Sequence, residues 1–118
     1  LRAPLAAMCE ALVSVDLKDA PELLPNETYA RADVADLPEM ERLLQGADMV
    51  VHFAAIPDER PFEELLRPNF LGAYAVWEAA ARQGVRRIVY ASSVHAVGMH
   101  PTAHCIGLDA PHRPDTFY

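Results

Sequence analysis

The chain of 118 residues has two cysteines and only ten lysines and arginines against seventeen acidic residues, and it has no long apolar run. Each shortage excludes something. Cys9 and Cys105 stand far apart and belong to no CxxC or Cys/His spacing, which points to two reduced thiols and away from a disulfide framework or a zinc site. A formal charge of −7 disfavours a phosphate-coated partner, because nucleic-acid binding depends on clustered Lys and Arg. No nucleic-acid partner is expected. Crossing a bilayer takes roughly 20 consecutive apolar residues, which the chain lacks, and residues 1–7 have no export-signal core. The expectation is a cytoplasmic protein without membrane contact. What is present is 52% apolar content, enough for the core of one modest domain. The chain enters at Leu1 in mid-pattern, and it reads as one partial domain over 1–118.

Residues 11–16 and 29–34 are short, mostly apolar runs ending in acids, and both read as strands. Asp36 followed by Glu39 is a capping-box pattern, and Leu37, Met40, Leu43 and Leu44 recur at helical spacing until Gly46, predicting a helix over 37–45. Residues 49–55 form a continuous apolar run with one histidine, expected to be a central strand covered on both faces. From Phe62 an apolar stripe through Leu65, Leu66, Ala73, Val76, Trp77 and Ala80 predicts a long helix to Gly84. Pro68 should kink or divide it. Residues 87–91 return as a strand, so strand, helix and strand make a crossover of the kind that builds a parallel sheet. The class is α/β. Beyond Gly98 no periodicity survives, and a loop lasts to about Asp115.

Several residues are candidates for chemistry. Asp16, at the end of the first of these strands, can take both ribose hydroxyls of an adenosine and repel a 2′-phosphate, favouring NAD over NADP; taken alone, its plainer reading is a turn cap. Lys18 leaves room for NADP. The glycine-rich phosphate turn normally precedes such an acid by about 20 residues, which puts it before Leu1. Asp33 and Val34 could offer a carboxylate and an apolar contact to adenine, or form a turn. Asn69 lies on the buried stripe, where an amide needs partners, and should sit beneath the cofactor site. Ser92 and Ser93 follow a buried strand at the carboxyl edge where open α/β sheets bind ligands. Tyr118 is the natural proton acceptor for an alcohol. Because a free phenol has a pKa of about 10, a cation is needed beside it. If the chain stays extended, His95 points to the same side as Ser93, as a substrate contact or as a satisfied loop residue. His100 and His104 have metal-like spacing, but Pro101 between them opposes a helix, so no metal site is expected. His52 reads as structural, hydrogen-bonded to backbone, with a cofactor contact as the other reading.

Together Val51-His52-Phe53-Ala54-Ala55, Asn69 with Gly72 and Glu78-Ala79-Ala80, Gly84 through Tyr90, and Ser92-Ser93 with Gly98 resemble the extended short-chain dehydrogenase/reductase superfamily, in its NAD-dependent epimerase/dehydratase family. Pro61-Phe62-Glu63, Ser93 with His95, and Arg113-Pro114-Asp115 before Tyr118 are most similar to uronate dehydrogenases. The resemblance implies a Rossmann-like doubly wound parallel sheet, NAD, and a sugar or sugar-acid substrate oxidised by hydride transfer. It implies that Ser93 positions substrate, that His95 contacts it, and that Tyr118 is the acid/base, helped by a Lys one helical turn beyond Tyr118. Asp16, Asp33, Val34, Phe53, Ala54, Ala55, Asn69 and Ala91 fall on the cofactor side. Pro57 stands where uronate dehydrogenases carry a substrate-binding Ser, and Val94 where they carry an Asn. The family also implies a homodimer through the helix bearing Trp77. An epimerase or dehydratase that retains NAD, and a silent NAD-binding sensor, are the alternatives. In the family's strand order 3-2-1-4-5, an empty slot should separate the strands near 12 and 30 from those near 50 and 88, leaving isolated residues 1–118 unstable.

Overall fold

The computed structural model describes residues 1–103, 105–116 and 118, and builds them into two parallel strand pairs joined through helices. Strand β1 (Leu12–Asp16) pairs with β2 (Glu27–Arg31), in register from Leu12↔Glu27 to Asp16↔Arg31. Strand β3 (Met49–His52) pairs with β4 (Arg87–Tyr90), from Met49↔Arg87 to His52↔Tyr90. Among the described residues no ladder joins the two pairs. They meet instead through side chains: Val15 of β1 and Val50 of β3 both pack on the buried cluster of Met40, Val76 and Ala79. The separation matches the slot expected between the strands.

One expectation about β3 is corrected. Cover on both faces fails at its first residue, where Met49 is 44% exposed. Strand alternation explains this, since Val50 faces the helices and Met49 must then face away. The face opposite the helices is not covered at this position.

Helix α1 (Arg2–Ala6) had no signal in the apolar pattern. Its anchor is a charge: the Arg2 guanidinium binds both oxygens of Glu27, a carboxylate buried at the start of β2. Ser14 and the Leu24 amide donate to the same group. Arg2 above all, then these donors, hold the Glu27 carboxyl down at about 2. Helix α2 (Leu37–Leu43) starts where expected, with the Asp36 side chain accepting from the Glu39 amide at 3.2 Å. It stops at Leu43 rather than 45, and Gly46 then turns the chain at φ 77°.

The predicted long helix is three segments: α3 (Phe62–Leu65), a π-helical turn (Leu66–Leu71) and α4 (Gly72–Arg82). Pro68 explains the division. It has no amide to donate and its ring excludes the carbonyl four residues back, and a wider turn accommodates both defects. Leu65, fully buried, anchors the junction, and Ala73, Ala75, Val76, Ala79 and Ala80 carry the buried face of α4. Cys9 and Cys105 are exposed free thiols. No helix among the described residues is long and apolar enough to cross a membrane. No group of metal-ligating side chains forms among them either; His104 lies outside the described residues.

Candidate active site

Because β3 and β4 are parallel, their carboxyl ends open on one side, and the segments leaving them line a cleft of about 780 Å³. Phe53, Ala54, Ala55, Asn69, Ala91, Ser93, His95 and Tyr118 all border it. These residues come from four stretches of sequence. A smaller depression of about 330 Å³, lined by Glu59, Pro114, Asp115 and Thr116, adjoins it and shares Pro114 and Thr116.

The π-helical turn explains how Asn69 reaches the cleft. Its Oδ1 accepts from the Ile56 amide at 2.8 Å and its Nδ2 donates to the Ile56 carbonyl at 3.1 Å. A single amide side chain thus satisfies both backbone groups of one residue, pinning the loop after β3 as a strand neighbour would. His52 is buried, and its ring stacks on Tyr90 with centroids 5.5 Å apart. Among the described residues the expected hydrogen bond from this ring to backbone does not form. Burial pushes its imidazole pKa down. Trp77 of α4 meets the same Tyr90 edge-on at 5.2 Å, so three aromatic rings form one wall.

After β4 the backbone does not stay extended through His95. Ser93 is extended, and its Oγ accepts from the His95 amide at 3.1 Å, capping a 3₁₀ turn (Val94–Val97). A serine at a cap competes well for a free amide, and this outweighs strand continuation. The turn brings the His95 ring within 6.0 Å of the Tyr118 ring, edge to face. Nδ1 of His95 lies 2.8 Å from Oδ1 of Asp115. The Thr116 hydroxyl oxygen is buried without a hydrogen-bond partner among the described residues. The Tyr118 amide donates to Glu59 at 3.4 Å. His100 bonds the Pro111 carbonyl at 2.8 Å, an ordinary loop contact.

Asp16, Asp33 and Val34 lie outside this cleft, at the carboxyl ends of the other strand pair. Asp16 is exposed, and only its Oδ1 is engaged, accepting from the Lys18 amide at 3.1 Å. Among the described residues its Oδ2 has no partner and can accept from a ribose hydroxyl, so the position fits an adenosine-bearing cofactor at the strand end. Asp33 is more occupied: Oδ1 accepts from the Ala35 amide and Oδ2 from Arg67 Nε at 2.8 Å. Val34 packs against the core cluster and lies over Gly72, where any β-carbon would come within 2.8 Å of its methyl. Its side chain serves the join between β2 and α4.

Sequence reasoning did not assign Arg67, Thr116, Asp115 or the Trp77–Tyr90 wall to the site. Asp115 was visible in a motif, but nothing in an aperiodic loop ties it to a residue 20 positions away.

A model of the 3-beta hydroxysteroid dehydrogenase/isomerase family matches residues 9–108. Uronate dehydrogenase of Pseudomonas putida is 39% identical over the whole chain, which spans 44% of that relative. Among solved structures, glucuronic acid dehydrogenase from Chromohalobacter salexigens is 32% identical with a TM-score of 0.93, covering 99% of this chain and 44% of its own. A mutant uronate dehydrogenase from Agrobacterium tumefaciens, complexed with NAD, is 40% identical with a TM-score of 0.90 over 97% of this chain and 43% of its own. The chain therefore spans less than half the length of these relatives, and over that span its fold is Rossmann-like, as expected. Given the family match over most of its length, the chain belongs to the 3-beta hydroxysteroid dehydrogenase/isomerase family within the extended short-chain dehydrogenase/reductases.

Proposed function

We propose that this chain is part of an NAD-dependent oxidoreductase that oxidises a sugar acid at its anomeric carbon, with a uronic acid as substrate. The observation that carries the reading is one cleft bordered by Ser93, His95 and Tyr118 at the carboxyl ends of two parallel strands. The identity to uronate dehydrogenases along the whole chain supports the choice of substrate class.

In this proposal Asp16 takes the adenosine ribose, Asp33 and Val34 border the adenine, and Phe53, Ala54, Ala55 and Ala91 line the path toward the reacting carbon. Asn69 holds that path in shape through Ile56. When bound, NAD supplies the hydride acceptor. Ser93 Oγ already accepts from the His95 amide, so its own hydrogen is free to be donated to the substrate's anomeric oxygen. Tyr118 receives the hydroxyl proton of that carbon as it becomes a lactone carbonyl, and His95 contacts a neighbouring oxygen of the sugar. The phenolate this requires is stabilised by a cation, in the family a Lys one turn further on. A homodimer through the helix bearing Trp77, and a cytoplasmic location, complete the proposal.

The test is NADH release by the full-length protein with glucuronate and galacturonate. Continuous NADH production supports the reading. No NADH with either acid overturns it. A second reading, an epimerase or dehydratase that retains its NAD, draws on 37% identity over 77 residues to dTDP-glucose 4,6-dehydratase of Streptomyces antibioticus. It predicts a rearranged sugar without NADH release.

A further inference from the structure

Three main-chain hydrogen bonds dock the strap before Tyr118 on and just after the 3₁₀ turn: Arg113 N to Ala96 O at 2.9 Å, Met99 N to Arg113 O at 2.9 Å, and Asp115 N to His95 O at 3.3 Å. These bonds carry the Asp115 carboxylate over Gly98 and against the His95 ring. A β-carbon at position 98 would lie 2.1 Å from Asp115 Oδ2, inside any permitted contact. Glycine at 98 is therefore what lets the carboxylate in. The result is a hydrogen bond of 2.8 Å between Asp115 Oδ1 and His95 Nδ1, at the open edge of the cleft.

We propose that Asp115 is a positioning residue that acts through His95. An ionised carboxylate only accepts hydrogen bonds, so Nδ1 must carry the proton. This fixes the tautomer and the ring plane, and leaves Nε2 as the nitrogen presented to ligands in the cleft. In the neutral ring Nε2 accepts from a substrate hydroxyl. In the charged ring it donates to a substrate oxygen. The same ring sits edge-on to Tyr118, so an unfixed imidazole would also disturb the phenol's neighbour. No other described side chain hydrogen-bonds the His95 ring. This inference rests on the proposed function for its kinetic consequences, and not for its structural one.

The experiment uses the full-length protein and four forms: unaltered, Asp115→Ala, Asp115→Asn and Gly98→Ala. The first readout is the His95 tautomer in alkaline buffer, from long-range ¹⁵N–¹H correlations of the imidazole, which needs no turnover. The unaltered protein should show the proton on Nδ1. Asp115→Ala and Gly98→Ala should lose that preference, while Asp115→Asn, whose amide oxygen still accepts, should keep it. The second readout is the kinetics with glucuronate. Asp115→Ala should lower kcat/KM by roughly tenfold, as expected for removing a charge-assisted hydrogen bond. Most of the loss should lie in KM, with NAD affinity unchanged, and Asp115→Asn should recover most of it. A proton on Nε2 in the unaltered protein would overturn the proposal. So would Asp115→Ala leaving tautomer and kcat/KM as they were. If no sugar acid is turned over, the proposed function fails, and the tautomer still decides this one.

Discussion

Replacing Asn69 with alanine tests how far the cleft depends on one side chain. The change removes two hydrogen bonds, of 2.8 Å and 3.1 Å, and leaves the amide and carbonyl of Ile56 without their partner. A typical intramolecular hydrogen bond contributes about 1 kcal/mol net, and an orphaned buried group costs about 1–3 kcal/mol. Asn69 is half-buried, so water can reach part of what is exposed. The expected loss is about 2 kcal/mol by urea unfolding of the full-length protein. The loop from Phe53 to Pro57 borders the cleft, so NAD affinity should fall as well. Asn69→Asp sharpens the test. It keeps an oxygen for the Ile56 amide but sets a second oxygen against the Ile56 carbonyl, so it should be at least as harmful as alanine when ionised. If Asn69→Ala costs less than about 0.5 kcal/mol and leaves NAD binding intact, the amide is not what holds this loop.

Further outcomes are expected. Glu27 has a folded-state pKa of about 2 against an ordinary 4.5, so the unfolded chain binds its proton first. The stability it contributes is present above about pH 4.5 and disappears as pH falls toward 2; Glu27→Gln should flatten that part of the acid-unfolding curve. Leu65→Ala, at a fully buried site, should cost about 2–5 kcal/mol in denaturant unfolding. Tyr118→Phe should lower kcat by roughly 10²–10⁴ for a sugar acid, with NAD binding kept, as for loss of a general acid/base. Asp16→Ala should weaken NAD more than NADP, measured as the ratio of their Kd values, because only NAD carries the 2′-hydroxyl the carboxylate takes.

The local elements were legible because their causes are local. Asp36 with Glu39 announced the start of α2, short apolar runs announced the strands, and Pro68 announced a break. Less was legible where one preference competed with another. The extended path expected beyond Ser93 gave way to a 3₁₀ turn, because the serine's own oxygen captured the His95 amide. The covered strand expected at 49–55 is β3, shorter, and exposed at Met49.

By itself the sequence determined the α/β class, the parallel crossover, and the family motifs that bring Ser93, His95 and Tyr118 into question. Periodicity, caps and strand-end residues act within a few positions, so they can be read along the chain. Tertiary structure decided which of those groups meet. The Asn69 clasp on Ile56, the burial of Glu27 under Arg2, and the Asp115 carboxylate over Gly98 join residues 13 to 25 positions apart. Such pairs are chosen by how helices and strands pack, and that packing leaves no period in the sequence.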